Sequence, residues 1–232
     1  MLSFLARISV KACFVLGALA LGCNVLSAAP INCSTVTTVG DAVGLAADGC
    51  INQDKIYSGF TTGTGGGLAI PSDWSVGISF VTLGSGADVH TINVSQGSAP
   101  ALGAGTYTFN YEIAIDPSSA TYASNWITQV QVSADFSDLS ETPANSDTKL
   151  LLENGAVLGS VTSVNGVTAT IGVDTKLIDV QETIVVDSSG LLHSFTDEFI
   201  ETRTPEPSAM ALIGGGLLVL GGMIRRSRRI RA

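Results

Sequence analysis

The sequence feature that most constrains the fold is a strict alternation of apolar and polar residues in the middle of the chain. It is clearest over residues 106–115, where the alternate positions are Tyr107, Phe109, Tyr111, Ile113 and Ile115. A period of two places these side chains on one face of a β-strand, whereas an α-helix would scatter them around its axis. Similar short segments recur between clusters of Gly, Asn, Asp, Ser and Pro. The pattern predicts an all-β domain.

Segments on either side of this strand have the same character. Residues 75–83 and 88–95 alternate around a Gly-Ser-Gly break and predict a hairpin. Residues 126–136 predict a further strand, with one face formed by Trp126, Thr128, Val130, Val132 and Ala134. A helical or irregular turn is expected only around residues 39–47.

Two Asn-Gly pairs predict tight turns in the second half of the domain. Asn154-Gly155 and Asn165-Gly166 each supply the positive φ values of a type I′ turn. We therefore expect a three-stranded meander from residues 149–152, 156–164 and 167–173. Residues 176–186 and 191–200 are expected to form a last pair. Roughly eight to ten strands in a domain of this size predict a β-sandwich, either jelly-roll-like or immunoglobulin-like.

The N-terminus has the order of a cleavable signal peptide. Two basic residues precede a small and apolar stretch at residues 12–26, and a Ser-Ala-Ala tripeptide then predicts cleavage after Ala29. The apolar stretch is too short for a convincing membrane span. A lipoprotein acylated at Cys23 is the alternative. Residues 1–29 are therefore expected to be removed by signal peptidase during export.

The C-terminus combines three features in a fixed order. Pro205, Glu206 and Pro207 come first, and the prolines bias the backbone around Glu206 toward an extended form. An uncharged segment follows at about residues 208–224, and as a transmembrane helix it would reach about 25 Å, slightly less than a hydrocarbon core. The arginine cluster that follows should stay cytoplasmic. It consists of Arg225, Arg226, Arg228 and Arg229.

This order closely resembles the PEP-CTERM sorting signal of bacterial exosortase substrates, and the resemblance covers residues 204–231. It implies recognition at Pro205, Glu206 and Pro207 by a membrane-embedded exosortase-type transpeptidase, removal of the helix, and release or attachment at the cell surface. The resemblance divides the chain into a signal peptide (1–29), an ectodomain (30–203) and a sorting signal (204–232). An ordinary single-span anchor is the alternative.

Charge is distributed unevenly along the chain. The predicted ectodomain contains 19 acidic and four basic residues, a formal net charge of −15, whereas the last eight residues carry +5. So acidic a domain repels phosphate backbones, and nucleic-acid binding is therefore not expected. Cation binding, or solubility alone, fits this charge better.

The four cysteines are divided between the signal peptide and the ectodomain. Cys13 and Cys23 leave with the signal peptide, while Cys33 and Cys50 remain. In an oxidising compartment this pair is expected to form a disulfide, with two free thiols or half of a metal site as the alternatives. The spacing does not match a zinc motif.

Candidate catalytic groups are few. His90 and His193 are the only histidines and no Gly-x-Ser-x-Gly motif occurs, so the sequence offers few residues for a nucleophilic catalytic triad. No cofactor is expected. Calcium is the one metal for which clustered oxygens are available, at Asp135-Phe136-Ser137-Asp138 and at Asp197-Glu198, with a solvated acidic surface as the alternative.

These observations predict a noncatalytic cell-surface or extracellular-matrix protein that is exported across the inner membrane and transiently anchored there. The alternative is a carbohydrate-binding module of an exopolysaccharide matrix, which would present Trp74 or Trp126 on an exposed sheet face. A carbohydrate-active hydrolase is a third hypothesis, and it needs a cleft with two carboxylates and flanking aromatic side chains.

Overall fold

The computed structural model describes residues 29–45, 47–137 and 145–203. Within these ranges the chain is mostly β-strand, with one short helix, α1 (Val39–Val43), and a 3₁₀ turn at Cys33–Thr35. The strands of the first half are β1 (Ile31–Asn32), β2 (Cys50–Asn52), β3 (Lys55–Thr62), β4 (Leu68–Ala69), β5 (Ser75–Thr82), β6 (Asp88–Ser95) and β7 (Gly105–Ile115). Those of the second half are β8 (Asn125–Ser137), β9 (Ser146–Glu153), β10 (Ala156–Val164), β11 (Ala169–Thr175), β12 (Leu177–Val186) and β13 (Leu191–Arg203). The prediction of an all-β domain is confirmed.

The strands form two sheets. In sheet A the order is β1-β2-β3-β7-β12-β9-β10, and β4 pairs with β7 beside this path. In sheet B the order is β11-β8-β13-β6-β5. The β1–β2 and β4–β7 pairings are parallel. The other pairings are antiparallel.

The inward faces of the two sheets meet in a shared apolar core. The alternate residues of β7, from Tyr107 to Ile115, are all buried there. Phe109 of sheet A packs against Phe195 of sheet B with ring centroids 5.6 Å apart, and Tyr111 packs against Phe199 at 6.2 Å. The face of β7 that the alternation selects is therefore the face that the fold buries.

Turn predictions are confirmed where successive strands are neighbours in one sheet. β5 and β6 pair as the expected hairpin. Asn154 and Gly155, with φ values of 51° and 80°, join β9 to β10. Helix α1 lies where a helical turn is expected, and Thr38 and Asp41 form a capping box at its N-terminus.

Two predicted pairings are wrong. Asn165-Gly166 does turn, with φ values of 49° and 76°, but it leads the chain out of sheet A, and β11 pairs with β8 in sheet B. The predicted meander is therefore only a hairpin. Residues 176–186 and 191–200 do not pair either, because β12 lies in sheet A and β13 in sheet B. A turn reverses the chain, but it does not choose the strand with which the next segment pairs.

The predicted face of β8 is wrong at the start of that strand. Ile127 and Gln129 pair with two adjacent residues of β13, so Thr128 between them is an extra residue without a partner position on that strand. This bulge reverses the alternation. As a result Ile127 is buried together with Val130, whereas Trp126 and Thr128 are only half-buried.

Cys33 and Cys50 form a disulfide, as expected. The bond joins the 3₁₀ turn to β2, and both side chains are buried. It closes a loop that contains α1, so the N-terminal segment of the domain is fastened to the edge of sheet A.

Candidate functional site

The predicted sorting residues lie outside the part of the chain that the structure describes. These residues are Pro205, Glu206, Pro207, Arg225, Arg226, Arg228 and Arg229. The predicted signal peptide up to Ala28 lies outside it as well. Neither helical segment in residues 29–45, 47–137 and 145–203 has the length and apolarity needed to cross a membrane.

The most unusual group of side chains lies between the two sheets. It consists of Asp147 and Lys149 on β9, Glu182 on β12 and Asp197 on β13, and all four side chains are fully buried. Lys149 Nζ lies 2.5 Å from Asp197 Oδ1 and 3.5 Å from Asp147 Oδ2, and it also contacts Glu182. The Tyr111 hydroxyl donates a hydrogen bond to Asp197. We call this group the Lys149 cluster; it joins both sheets through charged side chains inside an apolar core.

Three carboxylates and one ammonium cannot all be ionised here without a large desolvation cost. Burial, together with the nearby carboxylates, raises the pKa of Glu182 well above its ordinary value and so favours its protonated form. Burial also raises the pKa of Asp147 to about 6. Burial alone would lower the pKa of Lys149, but the surrounding carboxylates outweigh it and raise that pKa. These shifts favour an ammonium on Lys149 and a proton shared among the carboxyl groups of Asp147 and Glu182.

A second charged group, the Lys55 cluster, consists of Asp54, Lys55, His90 and Glu201. Lys55 Nζ lies 2.8 Å from Asp54 Oδ1 and also contacts Glu201. Burial opposes ionisation of Asp54, but the hydrogen bonds from Lys55 and Asn125 hold the pKa of this carboxyl below its ordinary value. Burial lowers the pKa of His90 to about 4, so its ring is neutral at pH 7. His90 Nε2 lies 3.6 Å from Asp54 Oδ1.

Both clusters have the donor atoms of a metal site, but a lysine ammonium already lies among those atoms. The three carboxylates of the Lys149 cluster each offer an oxygen within 4.8 Å of the others, and Asp54, His90 and Glu201 are arranged in the same way. A metal ion would have to displace a buried lysine, because two cations so close would repel each other strongly. The Lys149 cluster is also fully enclosed between the sheets. The geometry of both clusters fits a structural role in aligning the two sheets.

Among the acids that the sequence suggests for calcium, those that the structure describes do not come together. Asp135 is exposed near the end of β8, and Asp138 lies outside the described residues. Asp197 belongs to the buried Lys149 cluster, whereas Glu198 lies on the outer face of sheet B. Adjacent residues of a strand point to opposite faces, so this pair cannot bind one ion.

The two histidines lie on different strands of sheet B and face different surroundings. His90, on β6, is buried beside the Lys55 cluster. His193, on β13, is half-buried, and its Nδ1 lies 3.3 Å from Gln96 Oε1.

The two tryptophans do not form the exposed platform that a carbohydrate-binding module would use. Trp74 is completely buried, and its indole N–H donates to the Pro100 carbonyl at 3.2 Å. Trp126 is half-buried, and the ammonium of Lys176 lies 4.6 Å from its ring centroid. Stacking of a sugar on Trp74 is therefore excluded, and one face of Trp126 is already covered.

A comparison of the chain with protein-family models found no match, and a comparison with curated proteins found none either. The resemblance of residues 204–231 to a sorting signal therefore stays a prediction.

The buried charge clusters are the part of the site that sequence reasoning missed. A signal for them does exist in the strand patterns. On β9, Asp147 and Lys149 occupy the same alternate positions as the buried Leu151. On β12, Glu182 occupies the alternate position between the buried Val180 and Ile184. Charged residues at inward positions of apolar alternations indicate buried ion pairs, but the pattern does not say which strands supply the partners.

Proposed function

We propose that this protein is a noncatalytic exported protein of the bacterial cell surface or extracellular matrix, processed by an exosortase-type transpeptidase. The observation that carries the proposal is the order of Pro205-Glu206-Pro207, an uncharged apolar segment and an arginine cluster. Signal peptidase would remove residues 1–29. The segment at about 208–224 would hold the chain in the inner membrane as a transmembrane helix until the transpeptidase acts at the tripeptide.

Three properties of the ectodomain support this proposal. The Cys33–Cys50 disulfide is typical of proteins that fold in an oxidising compartment. Two packed, mainly antiparallel sheets suit a β-sandwich of jelly-roll-like or immunoglobulin-like type, an architecture frequent in extracellular domains. The carboxylates of both clusters surround a buried lysine, so they suit stability better than hydrolysis.

The experiment that tests the proposal replaces Glu206 with alanine in the source bacterium. We expect Glu206→Ala to stay uncleaved in the inner membrane, whereas the unaltered protein loses its C-terminal segment. Cell fractionation followed by mass spectrometry of the C-terminus measures both outcomes. Asp135→Ala is the matched control, because it removes an exposed carboxylate within the ectodomain. Normal processing of Glu206→Ala would refute the proposal.

Carbohydrate binding is a second candidate function, and one observation favours it. The outer face of sheet A carries a long groove with several polar side chains, formed mainly by β3, β7 and β12. Hydrogen-bonding side chains line this groove, so it could bind a sugar without stacking on Trp74 or Trp126.

A further inference from the structure

The groove consists of two adjoining hollows on the solvent-facing side of sheet A. Their volumes are about 510 Å³ and about 540 Å³, and Asn110 and Gln181 line both. Each volume lies within the usual range of ligand sites, roughly 300–1,000 Å³. The two hollows together are elongated along the strands, which suits a chain-like ligand better than a compact one.

The floor of the groove follows directly from strand register. Ser58 on β3 stands opposite Glu112 on β7, and Glu112 stands opposite Asp179 on β12. Along the same strands lie further polar side chains that face outward: Thr106, Thr108, Asn110, Gln181 and Thr183. Hydroxyl and amide groups can both donate and accept hydrogen bonds, as recognition of sugar hydroxyls requires.

Backbone features define the walls of the groove. β3 has a bulge between Ser58 and Thr61, and Gly59 in this bulge has a φ of 65°. At the other hollow, the loop at residues 64–67 is fixed to the floor. Thr64 N donates to Thr108 Oγ1 at 2.9 Å, and Asn110 Nδ2 donates to Thr64 Oγ1 at 2.6 Å.

The charge of the groove is entirely negative among its described lining residues, which include no lysine, arginine or histidine. Glu112 and Asp179 are directly opposite each other on neighbouring strands. Partial burial and the closeness of Asp179 raise the pKa of Glu112. Like charges in this position destabilise a sheet, and a hydrogen bond between the two carboxyl groups favours a proton on Glu112. An ammonium that donates to both carboxylates would relieve the repulsion in place of this proton.

We propose that the groove binds a glycan chain that carries protonated amino groups, with an ammonium between Glu112 and Asp179 and the sugar hydroxyls on Asn110, Gln181 and the threonines. This inference rests on carbohydrate binding, the second function proposed above. An amino sugar fits because it combines many hydroxyls with a positive charge. A carboxylated or sulfated glycan does not fit, since it would meet the same carboxylates with repulsion.

Calorimetric titration of the full-length chain, purified in detergent, tests the proposal. The probes are a glucosamine oligosaccharide, its N-acetylated counterpart, a neutral glucose oligosaccharide and calcium chloride. We expect the glucosamine oligosaccharide to bind best. Glu112→Gln should weaken its binding by at least about tenfold, because a charge-assisted hydrogen bond is lost.

Two control variants distinguish specific binding in the groove from nonspecific attraction of a cationic oligosaccharide to an acidic domain. Glu198→Gln removes a half-buried carboxylate from the outer face of sheet B and should leave the affinity unchanged. Gln181→Ala removes a groove amide without changing the charge, and it should weaken binding several-fold. Equal losses in Glu112→Gln and Glu198→Gln, or no loss in Glu112→Gln, would overturn the proposal.

The remaining outcomes are also decisive. Equal affinity for the neutral and the glucosamine oligosaccharides would overturn the proposed preference for an amino sugar while leaving carbohydrate binding in place. Binding of no oligosaccharide would overturn both, and so would calcium binding alone at Glu112. Export and sorting are unaffected by any of these results, because Glu206→Ala tests them separately.

Discussion

Replacing Lys149 with methionine would test the charge balance of the core most directly. Lys149 supplies the only ammonium that contacts the three carboxylates of its cluster among the described residues. Methionine has a similar volume, so the change removes a charge while keeping most of the packing. Without the ammonium, one more of the carboxylates must take up a proton for the domain to fold.

The cost of that proton depends on pH in a calculable way. An aspartate whose unfolded pKa is 3.8 resists protonation at pH 7 by about 4 kcal/mol, since each pH unit corresponds to about 1.4 kcal/mol. At pH 5 the same proton costs only about 1.5 kcal/mol. We therefore expect Lys149→Met to lower the free energy of unfolding by about 4 kcal/mol at pH 7 and by only about 1.5 kcal/mol at pH 5.

Urea unfolding followed by circular dichroism at the two pH values measures this difference. Lys176→Met is the matched control, because Lys176 is only half-buried and lies over aromatic rings; its effect should be below about 1 kcal/mol and independent of pH. If Lys149→Met does not fold at pH 7, the double variant Lys149→Met/Asp197→Asn should restore folding by removing one negative charge. An equal loss of stability at both pH values, or no recovery in the double variant, would refute the reasoning.

Three further predictions concern the rest of the domain. Replacing both Cys33 and Cys50 with alanine should lower the free energy of unfolding by about 3 kcal/mol, and reduction of the unaltered protein should do the same in a urea titration. Gly49 and Gly59 have similar φ values of 68° and 65°, but a Cβ at Gly49 would lie 2.1 Å from a backbone oxygen of β3, while one at Gly59 would meet nothing within 4 Å. Thermal unfolding should therefore show that Gly49→Ala costs at least about 2 kcal/mol more than Gly59→Ala. Burial lowers the pKa of His90 from 6.5 to about 4, so the stability that its neutral ring provides is full above pH 6.5 and is lost as the pH falls toward 4. The free energy of unfolding of His90→Leu should therefore rise by about 3 kcal/mol relative to that of the unaltered protein over this interval. A difference that stays constant with pH would contradict this.

The amino-acid sequence alone determined the class of fold and much of its local structure. The alternation in residues 106–115 selected both the strand and its buried face. Asn154-Gly155 determined a hairpin turn, and a cysteine pair in a chain expected to be exported predicted the Cys33–Cys50 bond. These features could be predicted because each depends on neighbouring residues, or on the chemistry of a single pair of side chains.

Only the tertiary structure decided which strands meet. Asn165-Gly166 has the same turn geometry as Asn154-Gly155, yet it sends β11 to the other sheet. The carboxylate of Asp197 meets Lys149 only because β13 and β9 face each other across the core. Pairing between strands depends on the packing of all inward faces at once, and a charged side chain at an inward position does not reveal its partner. The sequence therefore predicts the strands, while the fold decides which charges are neutralised in the core and which polar side chains line the outer groove.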